Sequence, residues 1–418
     1  MPDAKHIVAS SLWRDADFRR LWIGQTASQL GEHASVVILP LLAVLTLHVD
    51  AGQLGALRAV GQAPLLLLTL FIGAWIDRRR ARNVMVLADL GRAVALAGVA
   101  VAALAGGLGL PTLLVAAFAV GTMSAFFDVA YQTFIVRMLR RDQLLLGNSA
   151  VEGSRSVAQI GGPALGGALV SLLSAPIAAS CNAVLFAASF VSVARIRHRE
   201  TVPESTGRSS RIREGVRFVL GHSSLRAVCL ASAAFQFSFA AVMTAYLIFL
   251  PRELHLSGSA VGIVLAAAGP GALVGSLLAA HLPGRLGYGA VLAAAATIGN
   301  GAMLFVPLVH GAAAVTLPVL IGISFVFGTF SQLVNVTVMA IRQAVTPDGM
   351  QGRASATITF TGMGLTPLGS LFGGFLAGEL GLRTAILVAA AGMMVSPLLM
   401  LVSPLVRLGR DLPVPEDD

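Results

Sequence analysis

The sequence predicts an all-α membrane protein of twelve transmembrane helices, arranged as two pseudo-symmetric six-helix bundles. Three observations predict this. Of the 418 residues, 56% are apolar and only 12% are charged, against about 25% charged in soluble domains. The apolar residues gather into stretches near 20 residues long, the length that crosses about 30 Å of hydrocarbon as a helix. One glycine- and arginine-bearing segment recurs half a chain away. With a mean hydropathy of +0.82, these features exclude a soluble enzyme, a fibrous protein and a disordered chain. Cys181 and Cys229 lie in or beside apolar runs, so they read as small buried hydrophobes, not a disulfide framework or a thiolate metal site.

The spans fall near 20–47, 53–76, 84–106, 112–138, 150–173, 176–194, 225–250, 259–281, 289–309, 314–341, 354–378 and 384–406. Lipid offers the backbone no hydrogen-bond partner, and each run is too long for a barrel strand, so each is expected to be a helix. The first follows Arg14, Arg19 and Arg20. It is too long for a signal peptide and has no small-residue cleavage site, so it is expected to remain in the mature protein.

The net charge of +9 could suggest nucleic acid, yet the basic residues sit in short loops between apolar runs. With the N-terminus inside, 24 of the 29 Lys and Arg fall on the cytoplasmic side; Arg58, Arg92 and Arg155 lie within spans, and Arg252 and Arg383 lie outside. That asymmetry predicts a multi-pass protein of the inner membrane with both termini cytoplasmic, and no nucleic-acid partner. The domains follow as a bundle over 1–194, a linker over 195–224, and a second bundle with a short tail over 225–418. Ile212, Val216, Val219 and Leu220 recur at helical spacing among Arg211, Arg213 and Arg217. This linker therefore reads either as an amphipathic helix on the inner surface or as a solvated tether.

The repeat supports division at the linker. The stretch "RMLRRDQLLLGNSA" through "GGPALGG" recurs loosely as "RQAVTPDGMQGRAS" through "TPLGSLFGG". In transporters built from such repeats, the substrate site lies near the midplane between the halves.

With these residues in place, the chain resembles the major facilitator superfamily over essentially its whole length, and more narrowly the drug:proton antiporters of its macrolide-efflux branch. In "GAWIDRRRARN", Gly73, Asp77, Arg78 and Arg82 match the superfamily's loop between spans two and three, with Arg80 where glycine is usual and Ala81 where a basic residue is usual. The resemblance implies a cytoplasmic latch centred on Asp77. The second half keeps Gly275, Arg285 and Gly287 at the corresponding place but has no Asp. In "GGPALGG", Gly162, Pro163, Gly166 and Gly167 match a motif that marks antiporters. Pro163 removes one helix hydrogen bond, and the glycines permit close helix approach, which suits either a hinge or plain helix packing. Span eleven repeats the chemistry with Pro367, Gly369, Gly373 and Gly374. An Arg-bearing motif that many proton antiporters carry in span four is missing.

Ionisable groups at membrane depth are costly unless paired or wetted, which makes each a functional candidate. Glu32 lies mid-span in "LGEHAS" and reads either as the residue that exchanges protons and meets substrate or as a satisfied structural carboxylate. His33 adjoins it and reads as a coupling partner or as a buried neutral core histidine, and Asp128 as a second titrating site or as a contact of the loop that holds Asp77. Asp89 with Arg92, and Glu152 with Arg155, are spaced i, i+3 and predict ion pairs on single helix faces, toward the cytoplasmic ends, for bridging or gating. Phe126, Phe127, Tyr131, Phe235, Phe237 and Phe239 read as core packing or as the lining of a greasy cavity.

No P-loop, metal-ligand cluster or nucleophile elbow appears, so neither enzyme chemistry nor a cofactor is expected. The expected energy source is the proton gradient. The expectation is a monomeric secondary transporter, bathed in membrane lipid, that exports an amphipathic or hydrophobic small molecule in exchange for protons. An exporter of an endogenous metabolite such as a siderophore, and a non-transporting membrane sensor or scaffold, are the alternatives.

Overall fold

Helix boundaries follow the punctuation of the sequence. The computed structural model describes residues 12–76, 78–140, 143–198, 200, 210–347 and 350–410, and among these the regular structure is helical. Asp15 caps α1 (Ala16–Thr46), its Oδ1 accepting from the Asp17 amide at 2.8 Å and filling donors that a helix start leaves open. There follow α2 (Ala51–Ile76), α3 (Ala81–Leu104), α4 (Leu110–Met138), α5 (Leu144–Leu173) and α6 (Ala175–Ala194). The linker carries α7 (Ser210–Gly221).

Later spans are interrupted where proline or glycine falls. After α8 (Ser223–Arg252), the eighth apolar run is split into α9 (Gly258–Ala266) and α10 (Ala268–Ala279) at the sequence Gly269-Pro270-Gly271. A short α11 (Leu282–Leu286) precedes α12 (Tyr288–Ala302), which tightens into a 3₁₀ turn ending at Leu308. Beyond α13 (Ala313–Val345), the eleventh run divides into α14 (Gln351–Gly364) and α15 (Thr366–Leu380) just before Pro367. The twelfth divides into α16 (Leu382–Met393) and α17 (Val395–Val402) before Pro397. Among the described residues, ten helices or split runs are long and apolar enough to cross a membrane. α2 and the α14–α15 run stand at the other two expected places.

The chain separates into two compact units, one comprising Met1–Val49 with Val60–Gly207, the other Asp50–Ala59 with Arg208–Asp418. In unit 1, α1 packs on α5 and α6, and α3 on α4 and α6. In unit 2, α8 packs on α15 and α16, and α10 and α12 on α13. The first turns of α2 group with unit 2 because Gly55 lies against Gly374 and the Ser370 carbonyl of α15.

Glycine sets the same crossings in each unit. A Cβ on Gly166 would stand 2.8 Å from the Ala34 carbonyl oxygen, and one on Gly162 would strike His33, so α5 crosses α1 at its glycine motif. Gly369 and Gly373 meet the Phe237 and Ala241 backbones in the same way, bringing α15 onto α8. Ser174 between α5 and α6 has φ 81°, ψ 156°, and Gly381 between α15 and α16 has φ 80°, ψ 161°, so even the turn repeats. Only glycine enters that region without strain.

The linker helix docks instead of lying free: Val219 is fully buried in a cluster with Leu225, Ala354 and Ile358, while Val216 and Leu220 stay exposed. At the other end of unit 2, Arg383 bonds Glu253 at 2.7 Å and the Pro307 and Val309 carbonyls, with its guanidinium 5.0 Å from the Phe249 ring centroid. Arg383 is thus a stitch between three segments.

Two outcomes test this packing. Gly166→Ala is expected to lower the melting temperature of the purified protein, overpacking costing about 1–3 kcal/mol, whereas Gly161→Ala, where a Cβ meets nothing within 4 Å, is expected to leave it unchanged. Ser174→Gly should raise the melting temperature, by relief of about 1 kcal/mol of backbone strain.

Candidate functional site

Four helices of unit 1 carry polar residues at helical spacing toward one point. Ser28 and Glu32 are four apart on α1, and Asp89 and Arg92 three apart on α3. Ser124, Phe127 and Asp128 share a face of α4, and Asn182, Phe186 and Ser189 share a face of α6. Small residues on the same faces let the helices approach: a Cβ on Gly24 would meet Ser189 and Val193, and one on Gly31 the Phe186 ring.

At the centre lies Arg92, fully buried. Its Nη2 donates to Asp89 and, at 2.8 Å, to the Ser28 hydroxyl, and its Nη1 donates to the Ser124 hydroxyl at 3.3 Å. The guanidinium carbon is 4.5 Å from the ring centroids of both Phe127 and Phe186, a geometry that adds cation–π attraction to the salt bridge. Asp89, also fully buried, accepts from Ser28 and from Ser189 besides Arg92. The expected ion pair therefore forms. It lies in the first half of α3, and the serines and rings that solvate it come from three other helices.

Glu32 is held differently. Its Oε2 lies 3.8 Å from Arg92 Nη1, is buried, and accepts no hydrogen bond. A third of the side chain remains accessible. Asp128 feels the charges of Glu32, Arg92 and Arg155, and His33 those of Glu32 and Arg155. Thus the structure brings Glu32, Asp128, Asp89, Arg92 and Arg155 into one electrostatic cluster, with His33 packed beside it on Gly162. The expected Glu152–Arg155 pair does not close among the described residues. Both residues are exposed, and both charges bear on Tyr131.

At the basic end of unit 1, Arg82 donates to the carbonyls of Val193 and Ala194, holding the start of α3 to the end of α6. Glu200 completes the join. Its two oxygens accept from the Ala81 and Arg82 amides at 2.9 and 2.7 Å and from Arg137 at 3.2 Å, capping α3 from a distant segment. Arg78 is exposed in the turn after α2, and Gly73 lies within α2; Asp77 lies outside the described residues. Pro163 and Gly167 lie in α5 beside Gly166, and Pro367 at the start of α15.

In unit 2, Phe235 and Phe239 of α8 stack at 5.5 Å, with Phe327 of α13 at 5.3 Å from Phe239, and Phe237 contacts Phe372 at 5.3 Å. Outside α2, every Asp, Glu, Lys and Arg in the long helices of this unit lies in a terminal turn; Arg58, in the part of α2 that groups with this unit, lies beyond the first turn.

Arg92 as hub, with Ser28 and Ser124 bonded to it and Ser189 to its partner Asp89, and Glu200 as cap were not legible in sequence. Serine is too common for its spacing to signal, and Glu200 is more than a hundred residues from the amides it caps.

A family model described as transmembrane secretion effector matches residues 9–414. The multidrug efflux pump Tap of Mycobacterium tuberculosis is 27% identical over 404 residues, covering 90% of this chain and 91% of Tap. Tap of Mycolicibacterium fortuitum is 26% identical, covering 87% and 90%. Among solved structures, a bacterial homologue of the iron transporter ferroportin superposes with a TM-score of 0.74 at 17% identity, covering 92% of this chain and 98% of that one. The nucleoside transporter NupG gives 0.75 at 12% identity, covering 92% and 98%. At such identities the likeness is one of fold.

The buried pair generates a double-mutant prediction. Arg92→Met should destabilise the purified protein by about 3–5 kcal/mol, since Asp89 is left uncompensated. The double variant Asp89→Asn/Arg92→Met should recover most of that loss in a thermal melt.

Proposed function

The chain belongs to the transmembrane secretion effector family of the major facilitator superfamily, and from that membership we propose that it is a proton-coupled carrier exporting amphipathic or hydrophobic small molecules from the cytoplasm. The observation that carries the coupling is the Glu32 carboxylate, with one oxygen buried, without a hydrogen bond, and 3.8 Å from Arg92. Protonating such a group forfeits little hydrogen bonding and leaves Arg92 with Asp89. Ionising it places a second carboxylate against the same cation. A site with two such states can bind a proton in one stage of a cycle and release it in another. Asp128 extends the site, because its charge and that of Glu32 act on each other.

The relatives named as multidrug efflux pumps support export of drug-like compounds over a narrower endogenous cargo. The aromatic stack of Phe235, Phe239 and Phe327 supports an apolar ligand. In the cycle, the two six-helix halves of a twelve-span chain rock about the cargo, with the glycine crossings at Gly162 and Gly166 and at Gly369 and Gly373 as the bending points. The carrier works as a monomer in the inner membrane with both termini cytoplasmic, performs no covalent chemistry and needs no cofactor. A proton descending about 150 mV of total driving force supplies roughly 3.5 kcal/mol, which sustains a cargo ratio of about 300-fold.

Efflux measured in everted vesicles, with and without an uncoupler, tests the proposal. Uncoupler should abolish wild-type accumulation of a lipophilic drug. Glu32→Gln should reduce it at least tenfold while the protein still reaches the membrane in normal amount. Wild-type, uncoupler-sensitive accumulation in that variant would remove Glu32 from coupling.

A further inference from the structure

At the basic end of unit 1, two adjoining cavities of about 440 and 570 Å³ share Arg82 and Arg197 as walls. Arg80 and His198 line the first, and Arg20 and Arg195 the second. The five arginines do not stand alike. Arg82 is spent on the carbonyls at the end of α6, and Arg20 on Asp17 and the Arg195 carbonyl. Arg80, Arg195 and Arg197 are exposed, and among the described residues no acidic side chain pairs with them. The one carboxylate in the walls, Glu200, is 2% exposed and has both oxygens committed to the α3 amides and Arg137, so it cannot neutralise them.

The walls are also fixed in place. Glu200 pins the segment after α6 against α3, and Asp17 accepts from the Arg197 amide at 3.1 Å, so the three free guanidiniums line a preformed cavity. Its depth is marked by tryptophan. Trp22, near the start of α1, is 5.3 Å from the half-exposed Trp13 and donates from its indole to the Ala150 carbonyl at 3.2 Å. Indoles of this kind settle at the headgroup level. Loop arginines that only set topology need no cavity, whereas guanidiniums converging on one at headgroup depth present the forked donors that phosphate oxygens accept.

We propose that the paired cavities bounded by Arg80, Arg195 and Arg197 are a binding site for the phosphate group of an anionic lipid of the adjoining leaflet. The lipid phosphate enters from the membrane edge and bridges the start of α3 to the segment after α6, so that lipid composition bears on the same join that Glu200 and Arg82 make. The site is separate from the Arg92 cluster and does not depend on the transport reading.

The test uses the full-length protein in nanodiscs of phosphatidylcholine, alone or mixed with phosphatidylglycerol. Native mass spectrometry reads the lipid retained and thermal melting reads stability. Wild type should retain phosphatidylglycerol in preference and melt higher when it is present. Arg80→Gln/Arg197→Gln should bind it about 30-fold more weakly, two cations near an anionic surface being lost, while melting as wild type does in phosphatidylcholine. Arg80→Lys/Arg197→Lys should keep most of the preference. Should the double variant fold poorly, Arg80→Gln alone, at an exposed side chain, should still weaken binding about fivefold. An undiminished preference for phosphatidylglycerol in the glutamine variants overturns the site. An equal gain in melting temperature from inorganic phosphate in phosphatidylcholine discs overturns the lipid as its source.

Discussion

A guanidinium with no exposure inside helices long enough to cross a membrane has to be solvated by protein, and in unit 1 that requirement falls on Arg92. An unpaired arginine at the centre of a span costs roughly 3 kcal/mol on insertion scales and more in isolation. Here the charge meets Asp89 on its own helix, hydroxyls from α1 and α4, and two aromatic faces from α4 and α6. Each partner comes from a different direction, so the cation fixes the mutual rotation of four helices. Shifting any of them by one residue turns its side chain about 100° away from the cluster. The neighbouring small residues, Gly24 and Gly31, follow from the same demand, because hydroxyls and rings reach the guanidinium only if the backbones lie close.

Glycine geometry is what the two units share, and the buried Asp89–Arg92 pair is what unit 1 adds. The glycine crossings of α5 on α1 and of α15 on α8 recur in both units, and the turn at Ser174 and Gly381 repeats almost torsion for torsion. Repeats diverge readily in their side chains, but a backbone contact that admits no Cβ can be kept only by glycine. Unit 2 holds its helices with those contacts, with stacked phenylalanines and with hydroxyls bonded back to their own helices. Its Arg383 stitch lies at a helix end, where the desolvation cost is smaller.

The spans were legible because lipid imposes one solution on an apolar run of that length, and the breaks at Gly269-Pro270-Gly271, before Pro367 and before Pro397 follow from local chemistry. The i, i+3 spacing of Asp89 and Arg92 was legible too, as was Glu32 as a charge out of place. What joined them was not. The serines that complete the site are ordinary in sequence, and their role exists only once four helices are assembled. Glu152 and Arg155 carry the same spacing as Asp89 and Arg92 yet stay apart, since spacing permits a pair and only desolvation compels it. The amphipathic linker shows the converse: its periodicity was plain, but that Val219 packs against Ala354 and Ile358 of α14 was not.

The cluster assigns different work to its carboxylates by hydrogen bonding alone. Asp89 accepts from two serines and Arg92, so a proton there would have to displace donors already in place. Glu32 has a buried oxygen with no donor and a cation just beyond hydrogen-bond reach, so a proton displaces nothing. On the proposed reading, Asp89 is then the fixed counter-charge of Arg92, and Glu32 the member whose state changes. The same division explains why a buried cation belongs in the site at all. Arg92 lies between the two, bonded to Asp89 and 3.8 Å from Glu32 Oε2, so both carboxylates share one cation.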